Sequence, residues 1–182
     1  RRFVRGLCIF PFEEAFYRRA GVRTDWIGHP LVDAVRAPVT REAFAARYGL
    51  DPRLPIVAVL PGSRPSELAH HMPQLMAAIA QMNSTGQRQF VFAVAPGLTQ
   101  AQLRAHMGTL AAATTIVENA TYELLAAAEV AIVSSGTATI EAALLGVPMV
   151  VVYRVAPFTA WVVRHLAHTR LFAMVNVLAG KE

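Results

Sequence analysis

A chain of 182 residues with 54% hydrophobic and only 16% charged residues suits one packed domain with a short extra segment, and this composition excludes a disordered chain. A single cysteine, Cys8, excludes an intramolecular disulfide and a cysteine-only metal site, and it fits a reducing compartment. The net charge of +5 is carried almost wholly by arginine, since Lys181 is the only lysine. It suits an anionic ligand or an anionic membrane surface, whereas nucleic acid is disfavoured because no basic block is interleaved with aromatics.

The first 50 residues read as short mixed elements broken by Pro11, Gly21, Gly28, Pro30, Pro38 and Gly49. An apolar strand is expected over residues 7–10, a short helix over 13–19 and a strand at Trp26 and Ile27, closed by Gly28-His29-Pro30. Thr40 is the expected N-cap of a helix over Arg41–Tyr48, with Gly49 as its C-terminal stop. From Pro55 the pattern becomes regular. Apolar strands are expected at Ile56–Leu60 and at residues 90–95, 114–117, 130–133 and 148–152. Helices are expected between them, over 67–82, 99–107, 122–127 and 138–145, with a last one over 158–167. Near-continuous apolar strands alternating with helices predict an α/β fold: a Rossmann-like, doubly wound parallel sheet covered on both faces. The organisation expected is a segment 1–50 followed by a Rossmann-like domain over 51–182. The longest uncharged stretch of the apolar C-terminal region, residues 142–153, contains Pro148 and is too short to span a bilayer. The chain begins without methionine, shows no signal-peptide pattern and stops without a polar tail, so it reads as a fragment of something longer.

In such a sheet, ligands bind at the carboxyl ends of the strands, and two strand-to-helix turns stand out there. The first is Pro61-Gly62-Ser63-Arg64-Pro65-Ser66-Glu67. Gly62 permits close backbone approach, Ser63 can bond or cap, and Pro65 suits the first helical turn. Arg64 beside a helix N-terminus places positive charge where the dipole is already positive, an arrangement that an intervening anion such as a phosphate would resolve. A capping Ser63 with a solvated Arg64 is the equal alternative. The turn is neither a P-loop nor a dinucleotide fingerprint. The second turn, Ser134-Ser135-Gly136-Thr137-Ala138, brings hydroxyls and free N–H groups to a helix start, again a phosphate cradle. Glu141 lies off the capping-box spacing and among apolar neighbours, which suits a carboxylate accepting hydrogen bonds from ribose hydroxyls better than a solvated one.

Other positions carry less. Asn119 or Thr121 reads as a helix cap. His70 and His71 face different directions and form no metal pair. His165 and His168 have ligand spacing but no nearby carboxylate, so no metal is expected. Residues 157–172 combine aromatics with Arg164, Arg170 and two histidines. They fit an ordinary packed helix or an amphipathic helix on an anionic membrane.

Several phrases occur together and in order: Phe10-Pro11-Phe12-Glu13, Gly28-His29-Pro30-Leu31, Leu60-Pro61-Gly62-Ser63-Arg64, Ser135-Gly136-Thr137-Ala138-Thr139-Ile140-Glu141, Gly146-Val147-Pro148-Met149 and Asn176-Val177-Leu178-Ala179-Gly180. In this set the chain resembles the bacterial lipid-A-disaccharide synthases across essentially its whole length. The resemblance implies the C-terminal half of an inverting GT-B glycosyltransferase, with residues 1–50 ending the N-terminal half and residues 51–182 carrying the nucleotide sugar. It implies transfer of 2,3-diacylglucosamine from UDP-2,3-diacylglucosamine to 2,3-diacylglucosamine 1-phosphate, with release of UDP and no cofactor or catalytic metal. It also implies a peripheral enzyme on the cytoplasmic face of the inner membrane. Residues 157–172 would then serve a membrane surface or a subunit interface in a homodimer.

Matched residue by residue, the resemblance makes Arg64 a functionally important arginine accompanied by Ser63. It makes Ser135, Gly136 and Thr137 the phosphate-contacting turn, Glu141 the ribose-binding glutamate, and Asn176 a residue needed for activity, with Val175 where proline is usual. The catalytic base and a C-terminal Pro-Glu-rich nucleotide motif would lie outside these residues, leaving this stretch alone a poor nucleotide binder and inactive. Rival readings from the same fold are the N-acetylglucosaminyltransferase of peptidoglycan precursors and a UDP-sugar epimerase. A further rival is a non-catalytic nucleotide-sugar or lipid-binding module.

Overall fold

The computed structural model describes residues 5–83, 86–108, 114–154 and 174–180. The expected helix over 158–167, the segment 157–172 and the pair His165 and His168 lie outside these residues. Two compact units divide at Arg36 and Ala37.

In the first unit, β1 (Gly6–Cys8) pairs in parallel with β2 (Thr24–Trp26), joined through α1 (Pro11–Arg19), and α2 (Leu31–Ala34) follows. The strand expected to reach Phe10 stops at Cys8 because Phe10 becomes the N-cap of α1. Gly6 is needed where it stands: a Cβ there would lie 2.9 Å from Thr24 Cγ2 on the paired strand. Cys8, Phe10 and Val35 are buried, whereas Leu7, Phe12, Phe16, Tyr17, Trp26, Ile27 and Val32 are exposed.

The second unit is built on five parallel strands in the order β5-β4-β3-β6-β7: β3 (Ile56–Leu60), β4 (Gln89–Val94), β5 (Thr115–Glu118), β6 (Val130–Ser134) and β7 (Met149–Val152). Its helices are α3 (Arg41–Tyr48), α4 (Pro65–Met82), α5 (Gln100–Arg104), α6 (Thr121–Ala127), α7 (Ala138–Leu144) and α8 (Met174–Ala179). Alternate strand residues feed two separate cores, as a doubly covered parallel sheet requires. On one face Ile56, Ala58, Leu60, Ala93 and Ala131 meet Phe44 of α3, Leu124 and Leu125 of α6 and Ala142 of α7. On the other, Val57, Val59, Phe90 and Phe92 meet Leu68, Met72, Leu75, Met76 and Ile79 of α4 and Leu103 of α5.

Helix α3 forms as its ends dictate. Thr40 Oγ1 accepts from the Ala43 N–H at 3.2 Å, and Gly49 closes the helix with φ 65°. Asn119 and Thr121 do not cap α6 as expected: its N-cap is Ala120, without a side-chain bond, and Asn119 instead takes the left-handed turn that ends β5, with φ 54°. Helix α8 was not expected from the sequence, and it runs through Asn176.

Candidate functional site

The chain goes outward from β3 through β4 to β5, then returns across β3 to lay down β6 and β7. The winding therefore reverses between β3 and β6, the place where open α/β sheets form their ligand crevice. Leu60 is in register with Val133. The turn after β3 and the turn after β6 thus leave neighbouring strands side by side, about 4.8 Å apart. These are the two turns singled out in the sequence.

In the first turn, Gly62 has φ 136°, and a Cβ there would lie 2.7 Å from Glu67 Cβ. Only glycine fits without strain. Pro65 opens α4, as its fixed φ suits, and Arg64 is the N-cap. Glu67 folds back over the turn. Its Oε2 accepts from the Ser63 N–H at 2.7 Å and the Arg64 N–H at 3.2 Å, and its Oε1 meets the Arg64 guanidinium at 2.8 Å. Burial alone would push the Glu67 carboxyl up, but these three donors outweigh it and hold it below the usual carboxylate range. The anion beside Arg64 is therefore supplied from within the turn. Ser63 does not cap, and its hydroxyl and most of Arg64 are exposed.

In the second turn, Ser135 N–H donates to the Val152 carbonyl at 3.0 Å, which fixes the start of the turn to β7. Thr137 is the N-cap of α7 without a side-chain bond to the helix, and the Thr139 and Ile140 N–H groups donate to the Gly136 and Thr137 carbonyls at 3.1 and 2.9 Å. Thr139 is fully buried, its hydroxyl donating to the Gly136 carbonyl at 2.8 Å. Glu141 is half-buried and accepts from the Tyr122 hydroxyl at 3.2 Å. Burial first, then the charge and hydrogen bond of Glu141, push the Tyr122 phenol up. Asn176 is half-buried on α8, which packs against α7.

The structure thus sets the turn of Ser63 and Arg64 and the turn of Ser135, Gly136 and Thr137 at the ends of the paired strands β3 and β6, and it places Glu141 one turn into α7 and Asn176 on the helix packed against α7. Three residues of this region were missed: Glu67, His71 and Tyr122. Glu67 stands at the third helical position after Arg64, the spacing that marks a returning carboxylate. His71 and Tyr122 act across long sequence separations and left no local signal. His70 is exposed, with Nδ1 2.6 Å from the Ser66 carbonyl, and His71 is buried. Among the described residues no group of three or more His, Cys, Asp or Glu is placed to hold a metal, and no helix is long and apolar enough to cross a membrane.

Parallel strands wound outward from a switch point between β3 and β6, with helices on both faces, define a Rossmann-like α/β domain. Its fold matches that of a GT-B glycosyltransferase: the crystal structure of WaaG, a glycosyltransferase involved in lipopolysaccharide biosynthesis, aligns with 95% of this chain and 51% of its own at TM-score 0.51 and 14% identity. The family model for lipid-A-disaccharide synthetase matches residues 5–182, and the chain belongs to that family. Lipid-A-disaccharide synthase of Acidobacterium capsulatum is 41% identical over all of this chain and 48% of its own length. Those of Koribacter versatilis and Myxococcus xanthus are 40% and 38% identical, over 100% and 98% of this chain and 48% and 47% of their own. The chain spans about half the length of the curated relatives it matches.

Proposed function

We propose that this chain is the nucleotide-sugar-binding half of a lipid-A-disaccharide synthase, with the UDP of the donor seated across the turns after β3 and β6. The reading is carried by the pairing of Leu60 with Val133 at the switch point, which sets an arginine-bearing turn and a glycine-bearing turn at the ends of neighbouring strands. In this reading the pyrophosphate lies between the two turns. Arg64, exposed and held at the lip by Glu67, swings onto the phosphate oxygens, while the N–H groups of Gly136 and Thr137 and the hydroxyls of Ser63 and Ser135 complete the cradle. Glu141 accepts from the ribose hydroxyls, and Asn176 orients the bound donor from α8.

The reaction proposed is an inverting displacement. The 6-hydroxyl oxygen of 2,3-diacylglucosamine 1-phosphate forms the bond to C1 of the donor sugar. The bond from C1 to the phosphate oxygen breaks, and its electron pair leaves with UDP. The hydroxyl proton passes to a base outside the residues described here. What these residues contribute is stabilisation of the charge growing on the leaving pyrophosphate, by a guanidinium and oriented N–H groups. Both substrates carry acyl chains, so the enzyme works at the cytoplasmic face of the inner membrane. That membrane surface and a second copy of the chain are the further partners in this reading, and residues 1–36 belong to the other half-domain.

The test is calorimetric titration of UDP into the chain extended through the family's C-terminal nucleotide motif, with Arg64→Ala and Glu141→Ala beside it. Saturable binding weakened at least tenfold by each substitution is expected, about 1.4 kcal/mol each. A folded wild-type domain that does not bind UDP, or binding indifferent to both changes, overturns the placement.

A further inference from the structure

His71 is the one buried histidine among the described residues, 3% exposed on the second turn of α4. Both ring nitrogens are engaged. Nδ1 lies 2.7 Å from the Pro61 carbonyl oxygen, and the Arg154 N–H points at Nε2 from 3.1 Å. A carbonyl only accepts, so Nδ1 carries the hydrogen. A backbone N–H only donates, so Nε2 is bare. The two contacts together define the neutral Nδ1–H imidazole. A hydrogen on Nε2 would face the Arg154 N–H and break the second bond.

The partners matter more than the ring. Pro61 begins the turn that carries Ser63 and Arg64, and Arg154 lies just past the end of β7. Two residues before Arg154, the Val152 carbonyl accepts the N–H of Ser135, the first residue of the second turn beyond β6. The Tyr153 ring between them lies 6.4 Å from the imidazole. One line of contacts therefore runs from the first turn through His71 to the end of β7 and on to the second turn. The strands set where each turn leaves the sheet, and this line sets how far apart the turns stand above it.

We propose that His71 is a positioning residue: in its neutral Nδ1–H form it holds the Pro61–Arg64 and Ser135–Thr137 turns at the separation that one pyrophosphate bridges, without itself touching the ligand. The inference rests on the nucleotide reading above and adds to it a residue outside both turns.

The test has two parts. Long-range proton–nitrogen correlation spectra of the imidazole in the wild-type extended chain report the tautomer directly, and the bare-nitrogen signal is expected on Nε2. UDP titration then compares His71→Leu, which fills space but bonds to neither partner, with His71→Asn, whose amide still reaches the Pro61 carbonyl. His71→Leu, with its sheet intact by amide spectra, is expected to bind UDP at least tenfold more weakly than wild type, and His71→Asn to recover part of that loss. A hydrogen on Nε2 overturns the proposal. So does a folded Leu variant with wild-type affinity, or one that binds more tightly than the Asn variant, because either result makes His71 mere filling. Should His71→Leu fail to fold, the wild-type tautomer and the Asn variant still decide. Weakening by Arg64→Ala and Glu141→Ala without any by His71→Leu removes only the positioning role; indifference to all three removes the nucleotide reading and the positioning role together.

Discussion

Two helices of this chain begin with the same device, a proline at the first position and a glutamate at the third. Glu13 accepts from the N–H groups of Ile9 at 3.1 Å and Phe10 at 3.0 Å, as Glu67 does from Ser63 and Arg64. Neither N-cap residue, Phe10 or Arg64, has a side chain that can accept, so the returning carboxylate satisfies donors the cap leaves open. At Glu67 the same carboxylate holds the Arg64 guanidinium. Charge beside a helix N-terminus pointed in the sequence to an external anion, and the structure supplies an internal one; a phosphate arriving there must share Arg64 with Glu67. The folded carboxyl lies below its unfolded range, so its stabilisation is complete above about pH 4.3 and is lost as pH falls through the folded value. Glu67→Gln is accordingly expected to cost about 1 kcal/mol at neutral pH, and the gap to wild type should shrink on acidification. Denaturant midpoints across a pH series check this, and a gap that widens in acid contradicts it.

At the scale of elements, strands were legible because a sheet buried on both faces needs continuous apolar runs, and Ile56–Leu60 is such a run with every residue buried. Helix ends were legible wherever a turn residue had a specific duty, as at Thr40, Gly49 and Pro65. The short helices α2 and α8 were not read from the sequence, and α5, though Thr99 caps its start, stops at Arg104 short of the expected Met107. The candidate site followed the same division. Its two turns could be read from residue types at strand ends. The lateral ties that give it shape, Tyr122 to Glu141 and His71 to Arg154, join residues from different elements, which local patterning does not encode. Helix α3 shows why the position of an element outweighs its distance from the sheet in sequence. Its Phe44 is fully buried against the Leu124 and Leu125 face and meets Tyr48 in a tilted ring contact, 4.7 Å between centroids. Phe44→Ala should cost about 3–5 kcal/mol, whereas Leu144→Ala, at an exposed site on α7, should change stability by less than about 0.5 kcal/mol. Chemical denaturation of both variants tests the contrast, and equal effects would mean that α3 is not part of the sheet's core.

For the whole molecule, the decisive difference lies between its two units. Every bond described for the two turns is made within residues 37–182, on a sheet whose central strands β3 and β6 have neighbours on both sides. The described residues of this first unit, 5–36, hold one pair of three-residue strands, few buried apolar side chains and several exposed aromatics. A two-stranded sheet of that size is marginal in water, so its opening should be local and frequent, while amides of β3 are released only when the larger unit opens as a whole. Native-state hydrogen exchange should therefore find the amides of Val57 to Val59 protected by at least about a thousandfold more than the β1–β2 amides of Gly6 and Ile27, roughly 4 kcal/mol in opening free energy. Saturating UDP should raise protection in the turns after β3 and β6 and leave β1 and β2 unchanged, because a ligand stabilises only the states that bind it. Matching protection in both units would contradict the marginal smaller unit, and a UDP effect confined to residues 1–36 would move the nucleotide off the switch point and onto that unit.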